Sequence, residues 1–451
     1  MKKTIEEVIE IKTKHEEALF SVNGVFRVDV GIKDIDDDPD EVFIRVFMKD
    51  LSNKHLVPKE LDGVETHVIE GGMPRALTIG ASDNEVLTTD NSAGTVNPKS
   101  RYDPLEGGIS VGPCRSIQNN SYVGTLGALV IDNSDGQVYG LSNFHVLCVD
   151  SNWKPGDQVV QPSRPDGGSC PSDVVGEIVK GAFPGQGSYT GSSVDAAVTS
   201  ILQRDVSHKC LGLGDFAKVT SPTIGTKVKK MGRTTDLTYG TITGIKGTVV
   251  GNFGSLGKAV TLHNQITIDP STKKNQQFCK GGDSGSVVVD DNMGVIGLLC
   301  AEDSKTGSGI ANNFSDVEAA LNVKLFTKWL TQGMGYLGAT QFNYNIASSD
   351  NSLQHVAGTP ATGNQIELIN HDAKGYSSFR NQNGLYLNAN LNFTAEGADT
   401  KWQMTNLGGG QCVLENLANG QMLQNADTFQ VGFSGFPPSA GTSNIFTWTK
   451  V

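Results

Sequence analysis

A chain of 451 residues exceeds what one hydrophobic core holds, so two or three domains are expected. Glycine is abundant, at 54 residues, and charged residues are sparse, at 19%, a balance that suits short strands joined by many turns. The net charge of −12 argues against a nucleic-acid partner, whose phosphates need clustered Lys and Arg, and is read simply as solubility.

The N-terminus, MKKTIEEVIEIKTKHEEALF, has neither an uncharged apolar stretch nor a small-residue cleavage site, so a secretory signal is not expected. This places the protein in the cytoplasm, with release by a non-classical route as the alternative. No run of about 18 apolar residues offers a membrane span. Residues 4 to 19 carry Ile5, Val8, Ile9 and Leu19 among Glu and Lys, the pattern of an amphipathic helix. Two strand-like runs follow, GVFRVDVGI and EVFIRVFM, joined by the acidic turn DIDDDPDE, and GVETHVIE comes after them. That turn lacks the glycine and terminal glutamate of a calcium loop, so it is read as a solvated hairpin turn rather than a metal site. Residues 1–79 thus form a small α+β domain, an accessory layer or a pro-like unit, and the turn-rich residues 80–107 form a linker open to cleavage.

From Gly108 to about residue 330, short apolar segments such as TLGALVI, VYGLSNF, DAAVTSI and GVIGLLC recur between Gly, Asn and Asp turns, which predicts a β-barrel or sandwich. The segment FSDVEAALNVKL closes this region as a helix, with Ser315 and Glu318 as a capping box. The seven cysteines, an odd number without CxxC spacing, are read as mostly free thiols in a reducing compartment, without a zinc site. A Cys279–Cys300 bridge is left open.

The strongest local signal is FCKGGDSGSVVVDD. A serine hydroxyl attacks a carbonyl at neutral pH only beside a base and beside amides that hold the developing oxyanion. Ser284 is the candidate nucleophile, and Gly281 and Gly282 permit a turn that presents the N–H groups of Gly282 and Ser284 as the oxyanion hole. Ser286 stands where a G-x-S-x-G elbow needs glycine, so an α/β-hydrolase is excluded. Upstream lie His145 in SNFHVL, as general base, and Asp195 in SSVDAAV, as the carboxylate that orients it. Spacings of 50 and 89 residues put His145 and Asp195 in one half of the region and Ser284 in the other, so the site should form in a cleft between two barrels.

GDSGS with SNFHVL and SVDAAV resembles the trypsin-like serine peptidases, whose fold is a pair of six-stranded barrels. MGRTTDLTYGTIT is similar to a stretch of the bacterial α-lytic protease and streptogrisin group, and residues 20 to 325 resemble the trypsin-like proteins related to plant NARROW LEAF 1. The resemblance implies a mainly β, two-barrel peptidase domain over 108–330. It carries the roles of nucleophile, base and orienter to Ser284, His145 and Asp195, with Gly282 as an oxyanion donor. It also implies that Arg233 pairs with Asp283. By position, the substrate pocket would have its floor at Phe278 and Cys279 and its wall from Leu298 through Cys300 to Glu302, favouring a small or apolar residue before the scissile bond. Glu302 and Asp303 are the two groups that would instead draw a cation. No cofactor or metal is implied.

The tail has a weak three-fold repeat, anchored on Asn351-Ser352, Asn383-Gly384 and Asn419-Gly420, with NQIELI, TKWQMT and NIFTWT as second signatures. After a linker at 331–344, residues 345–451 resemble the ricin-B-type β-trefoils, which implies a glycan or a protein as ligand, or a purely structural role. The reading as a whole is a serine endopeptidase acting on a protein substrate, with a targeting trefoil. The alternatives are a non-catalytic trypsin-like scaffold and a carbohydrate-binding protein.

Overall fold

The computed structural model describes residues 3–76, 79–82, 96–134, 137–189, 191–202, 204–252, 259–327 and a series of segments between 333 and 450. The fold is mainly β, as expected. The chain divides into two compact units: residues 1–129, 139–204 and 208–321 in one, and 130–138, 205–207 and 322–451 in the other.

In the first unit, one ring of strands runs Val138–Ser142, Ala196–Thr199, Val174–Phe183, Gln158–Val160, Ile109–Pro113 and Asn120–Leu126. The amide of Gly127 donates to the carbonyl of Leu141 at 2.9 Å and brings the last strand back to the first. A second ring runs Lys227–Gly232, Val287–Asp290, Gly294–Glu302, Gly309–Asn313, Ala259–Pro270 and Asp236–Asn252, and the last of these pairs again with Lys227–Gly232. The apolar runs seen in the sequence point into these rings: Ile242, Ile266, Ile268, Val288, Ile296 and Leu299 form one buried cluster.

The N-terminal residues belong to the same sheet as the second ring. Asp236–Asn252 is 17 residues long. Its first half closes the ring, and its second half pairs antiparallel with Val25–Gly31, from Arg27↔Val249 to Gly31↔Gly244. Phe43–Met48 and Val64–Glu70 extend the sheet outward. The helix Ile5–Phe20 covers this extension, burying Val8 and Leu19 against Val28, Val30, Ile44 and Val46. Each such aliphatic side chain contributes about 1.5–3 kcal/mol of burial. Its start is a complete capping box, in which the amide of Glu7 donates to Thr4 Oγ1 at 3.2 Å and the amide of Thr4 to Glu7 Oε2 at 2.8 Å. The closing helix Phe314–Leu321 starts differently from the expectation: Asn313 Oδ1 accepts from the amide of Ser315 at 3.1 Å, so Asn313 caps it in place of Ser315.

Of the proposed linker 80–107, residues 83–95 lie outside the described residues, while Ile79–Ser82 and Leu105–Gly107 are strands. Most of the three repeat anchors in the tail lie outside them as well. In the second unit, the path of strands runs from Ser352–Val356 through Tyr344–Ser349, Gly333–Ala339, Ile366–His371, Tyr376–Arg380, Trp402–Gly408 and Gln411–Asn416 to Met422–Ala426 and Gln430–Ser434. Gly333–Ala339 pairs with Phe446–Lys450, so the tail's sheet begins within the stretch expected to be a linker. Trp402 is fully buried, donates Nε1–H to the carbonyl of Leu387 at 3.0 Å and meets Phe379 edge-on. This indole is therefore a core element and presents no stacking face to a sugar.

Candidate active site

His145 is placed by the one-turn helix Phe144–Leu147, which follows directly on the strand Val138–Ser142. Asp195 immediately precedes the strand Ala196–Thr199, and these two strands are paired with Ser142 opposite Ala197. Base and carboxylate thus leave neighbouring strands at the same level. Asp195 Oδ2 is hydrogen-bonded to His145 Nδ1, and Oδ1 accepts the backbone amide of His145 at 3.1 Å. An ionised carboxylate only accepts, so the ring proton sits on Nδ1 and the lone pair on Nε2. Nε2 lies 2.7 Å from Ser284 Oγ, the geometry in which the hydroxyl donates to the imidazole. All three side chains are fully buried.

Two asparagines hold Asp195, and the sequence offered no sign of either. Asn143 Nδ2 donates to the Asp195 carbonyl at 2.7 Å, and Asn312 Oδ1 accepts the Asp195 amide at 3.0 Å. Asn312 Nδ2 also donates to the carbonyls of Asp195 and Leu298, at 3.2 and 3.1 Å. Asn312 comes from the second ring and Asp195 from the first, so this amide fixes one half of the site against the other.

Around Ser284 two glycines are required by the backbone. Gly282 has φ +91° and Gly285 φ +91°. A Cβ on Gly285 would stand 2.2 Å from both Ser142 Oγ and the carbonyl of Thr125, and one on Gly282 would stand 2.4 Å from Thr234 Oγ1. Thr125 also donates its hydroxyl to the Gly282 carbonyl at 2.9 Å and its amide to the Ser284 carbonyl at 2.7 Å.

The expected Arg233–Asp283 pair is not formed. Asp283 is satisfied by the turn after Lys227–Gly232: the amides of Thr234 and Thr235 reach Oδ1 at 2.8 and 3.0 Å, and Thr235 Oγ1 and the Lys280 amide reach Oδ2 at 2.6 and 2.9 Å. Lys230 Nζ adds charge at 3.4 Å. Arg233 turns instead to Asp166 of the first ring, with Nε donating at 2.8 Å and a second bond from the other guanidinium nitrogen. The two Thr amides already point at Asp283, which frees the arginine to bridge the halves.

The proposed pocket residues also lie differently. Phe278, Cys279, Leu298 and Cys300 are buried; Phe278 and Cys279 pack into the core cluster of the second ring, and the carbonyl of Cys300 lies 3.4 Å from Ser284 Oγ. Glu302 alone of the set is half-exposed, and burial, then the charge of Asp283, pushes its carboxyl up. Asp303 is not available to a ligand: it accepts the amides of Gly72, Lys305 and Thr306 and lies 3.4 Å from Arg27.

Cys114 and Cys170 form a disulfide, a pairing the odd cysteine count did not disclose, and Cys279 and Cys300 are free. Burial pushes the thiols of Cys148, Cys210, Cys279 and Cys300 up, and the nearby Asp195 pushes Cys148 and Cys300 further. A raised pKa means less thiolate at a given pH. Iodoacetamide at pH 8 is therefore expected to leave these four unmodified in the folded protein and to modify them after unfolding; peptide mass mapping reads the difference, and rapid labelling of the native protein would contradict it.

No family model matches the sequence, and a search of curated proteins finds no match. Among solved structures, Thermobifida fusca Protease A is similar over 50% of this chain and 99% of its own, with a TM-score of 0.36 and 18% identity. A chymotrypsin from Cellulomonas bogoriensis is similar over the same 50% and 99%, with a TM-score of 0.32 and 18% identity. The designed three-fold symmetric protein ThreeFoil is similar over 26% of this chain and 99% of its own, with a TM-score of 0.24 and 17% identity. The solved structures that the chain resembles are thus bacterial trypsin-like serine proteases over half its length and β-trefoil proteins over about a quarter.

Proposed function

We propose that the chain is a serine endopeptidase. The observation that carries the reading is the continuous line of hydrogen bonds from Asp195 through His145 to Ser284 Oγ, with Nε2 at 2.7 Å. Ser284 Oγ would attack the scissile carbonyl while His145 takes its proton, and the N–H groups of Gly282 and Ser284 would hold the tetrahedral oxyanion. His145 would then return the proton to the leaving amine, and water would release the acyl group. Asp195 keeps the imidazole in its productive tautomer and offsets the charge it gains. Asp283 and Arg233 act as supports, Asp283 by anchoring the turn before the nucleophile to the amides of Thr234 and Thr235, and Arg233 by tying the turn that carries those threonines to Asp166. The scheme uses no metal or cofactor. Fluorophosphonate treatment should label wild type on Ser284 and leave Ser284→Ala unlabelled; labelling of neither protein would overturn the reading.

A further inference from the structure

The strand Gly294–Glu302 runs past the nucleophile: the carbonyl of Cys300 lies 3.4 Å from Ser284 Oγ, and the amide of Gly285 donates to the carbonyl of Leu299 at 2.9 Å. Residues 303–308 join this strand to Gly309–Asn313. The same loop reaches the chain that leads into the nucleophile, since the amide of Phe278 donates to the carbonyl of Gly307 at 3.1 Å. Packing is tight there, because a Cβ on Gly309 would stand 2.6 Å from Phe278 Cδ1. The loop thus ties together the two segments that flank Ser284.

Much of what holds the loop comes from the N-terminal α+β layer. Asp303 Oδ1 accepts the amide of Gly72 at 2.7 Å besides those of Lys305 and Thr306, at 3.0 and 3.2 Å, and Oδ2 lies 3.4 Å from Arg27. Lys305 Nζ donates to Glu70 at 2.7 Å and to the carbonyl of Lys49 at 2.9 Å. Gly71 and Gly72 permit the close approach: a Cβ on Gly71 would stand 2.7 Å from Asp303 Oδ2, and one on Gly72 2.7 Å from Ser304 Oγ. Arg27 and Asp303 are both fully buried. Stability alone does not account for the arginine. Its Nε and Nη1 have no hydrogen-bond partner among the described residues, and a buried ion pair returns little against the desolvation of its charges.

We propose that Asp303 is a positioning residue for the peptidase reaction, and that the N-terminal layer, through Arg27 and Gly72, sets the loop that governs which side chain is accepted before the scissile bond. Asp303 itself touches no substrate. The residue that offers its carbonyl to Ser284 is, of all substrate residues, the one nearest the two segments the loop joins, so a shift of the loop alters the fit of that residue first. Displacements on the order of 1 Å at such a site cost about 10²-fold in rate. The layer is then a working part of the site.

The inference rests on the peptidase reading, and the test separates the two. Full-length wild type, Asp303→Asn, Arg27→Lys and the double variant Arg27→Gln/Asp303→Asn are given peptides that differ only in the residue before the scissile bond. The value of kcat/KM is measured for each peptide, together with fluorophosphonate labelling of Ser284 and the melting temperature. Asp303→Asn keeps an oxygen for the three amides and removes the charge facing Arg27, whereas the double variant removes both charges and strands neither. Both are expected to label on Ser284 and to change the ratio of kcat/KM between the preferred peptide and the others by about tenfold or more. Arg27→Lys, which keeps a cation, is expected to retain the wild-type ratios. A merely structural role would lower all peptides by one factor, in step with the melting temperature. That result, or unchanged ratios in either folded Asn variant, would overturn the inference and leave the peptidase reading standing. A wild type that neither labels nor cleaves any peptide would overturn the peptidase reading and this inference with it.

Discussion

Asn in place of Asp195 is expected to lower the turnover of peptide substrates by about 10⁴-fold while leaving the fold intact. The amide is isosteric, and its oxygen still accepts the backbone N–H of His145, which now comes at 3.1 Å. The side-chain nitrogen, however, would face Nδ1 and donate to it. The imidazole then carries its proton on Nε2, pointing at Ser284 Oγ, and can no longer take the serine proton. The same exchange removes the negative charge that offsets the imidazolium in the transition state. Fluorophosphonate labelling and peptide hydrolysis should slow together, with thermal stability close to wild type. A loss of less than tenfold, in a protein with an unchanged melting temperature, would show that Asp195 does not orient the base.

Arg45→Met is expected to destabilise the first unit by about 3–5 kcal/mol, because it strands a buried carboxylate. Arg45 and Asp29 are both within 2% of full burial and form a two-pronged pair, Nε to Oδ1 at 2.6 Å and a second guanidinium nitrogen to Oδ2 at 2.8 Å. Thr267 Oγ1, from the second ring, donates to Asp29 at 2.7 Å, and Arg45 donates to the carbonyl of Ile32 at 3.1 Å. Burial alone would lower the guanidinium's pKa, yet the charge and hydrogen bonds of Asp29 outweigh it and hold the pKa above its ordinary value. Removing the arginine leaves the buried Asp29 with the Thr267 hydroxyl as its remaining side-chain donor and only the more distant charge of Arg27 to offset it, so the carboxylate is kept at a cost or takes up a proton. A lowered urea midpoint for Arg45→Met at neutral pH, with partial recovery in the double variant Asp29→Asn/Arg45→Met, is the expected pattern. A midpoint within experimental scatter of wild type would sink the account.

The residues that meet at the site were readable because each sits in a short local context. GGDSG needs its glycines for φ values near +91° at Gly282 and Gly285, and SNFHVL and SVDAAV place polar groups at the boundary of buried strands. The support around them was less readable, because a carboxylate accepts backbone amides as well as cations. Asp283 takes amides from Thr234 and Thr235, and composition cannot distinguish that from a bond to Arg233. The pocket is less legible for a related reason: the apolar residues Phe278, Cys279 and Leu298 mark burial, and burial in a core and burial beneath a ligand look alike in sequence. Asn312 and Asn143 are ordinary turn and strand-end residues by type, and their role depends on a contact across 117 and 52 positions. The N-terminal α+β run was legible as elements, but which sheet edge it would join was not, since Val25–Gly31 meets residues more than 200 positions away.

That last pairing bears on how the protein can be handled. The half of Asp236–Asn252 that closes no ring presents Gly244 to Val249 to the N-terminal strand, and those residues are mostly buried beneath it. Cutting the gene back to residues 108–330 would lay bare a strand edge with unmatched N–H and C=O groups, a template for joining further copies side by side. Shortened forms would therefore tend toward insoluble aggregates, and loss of activity in them would speak to solubility before it spoke to catalysis.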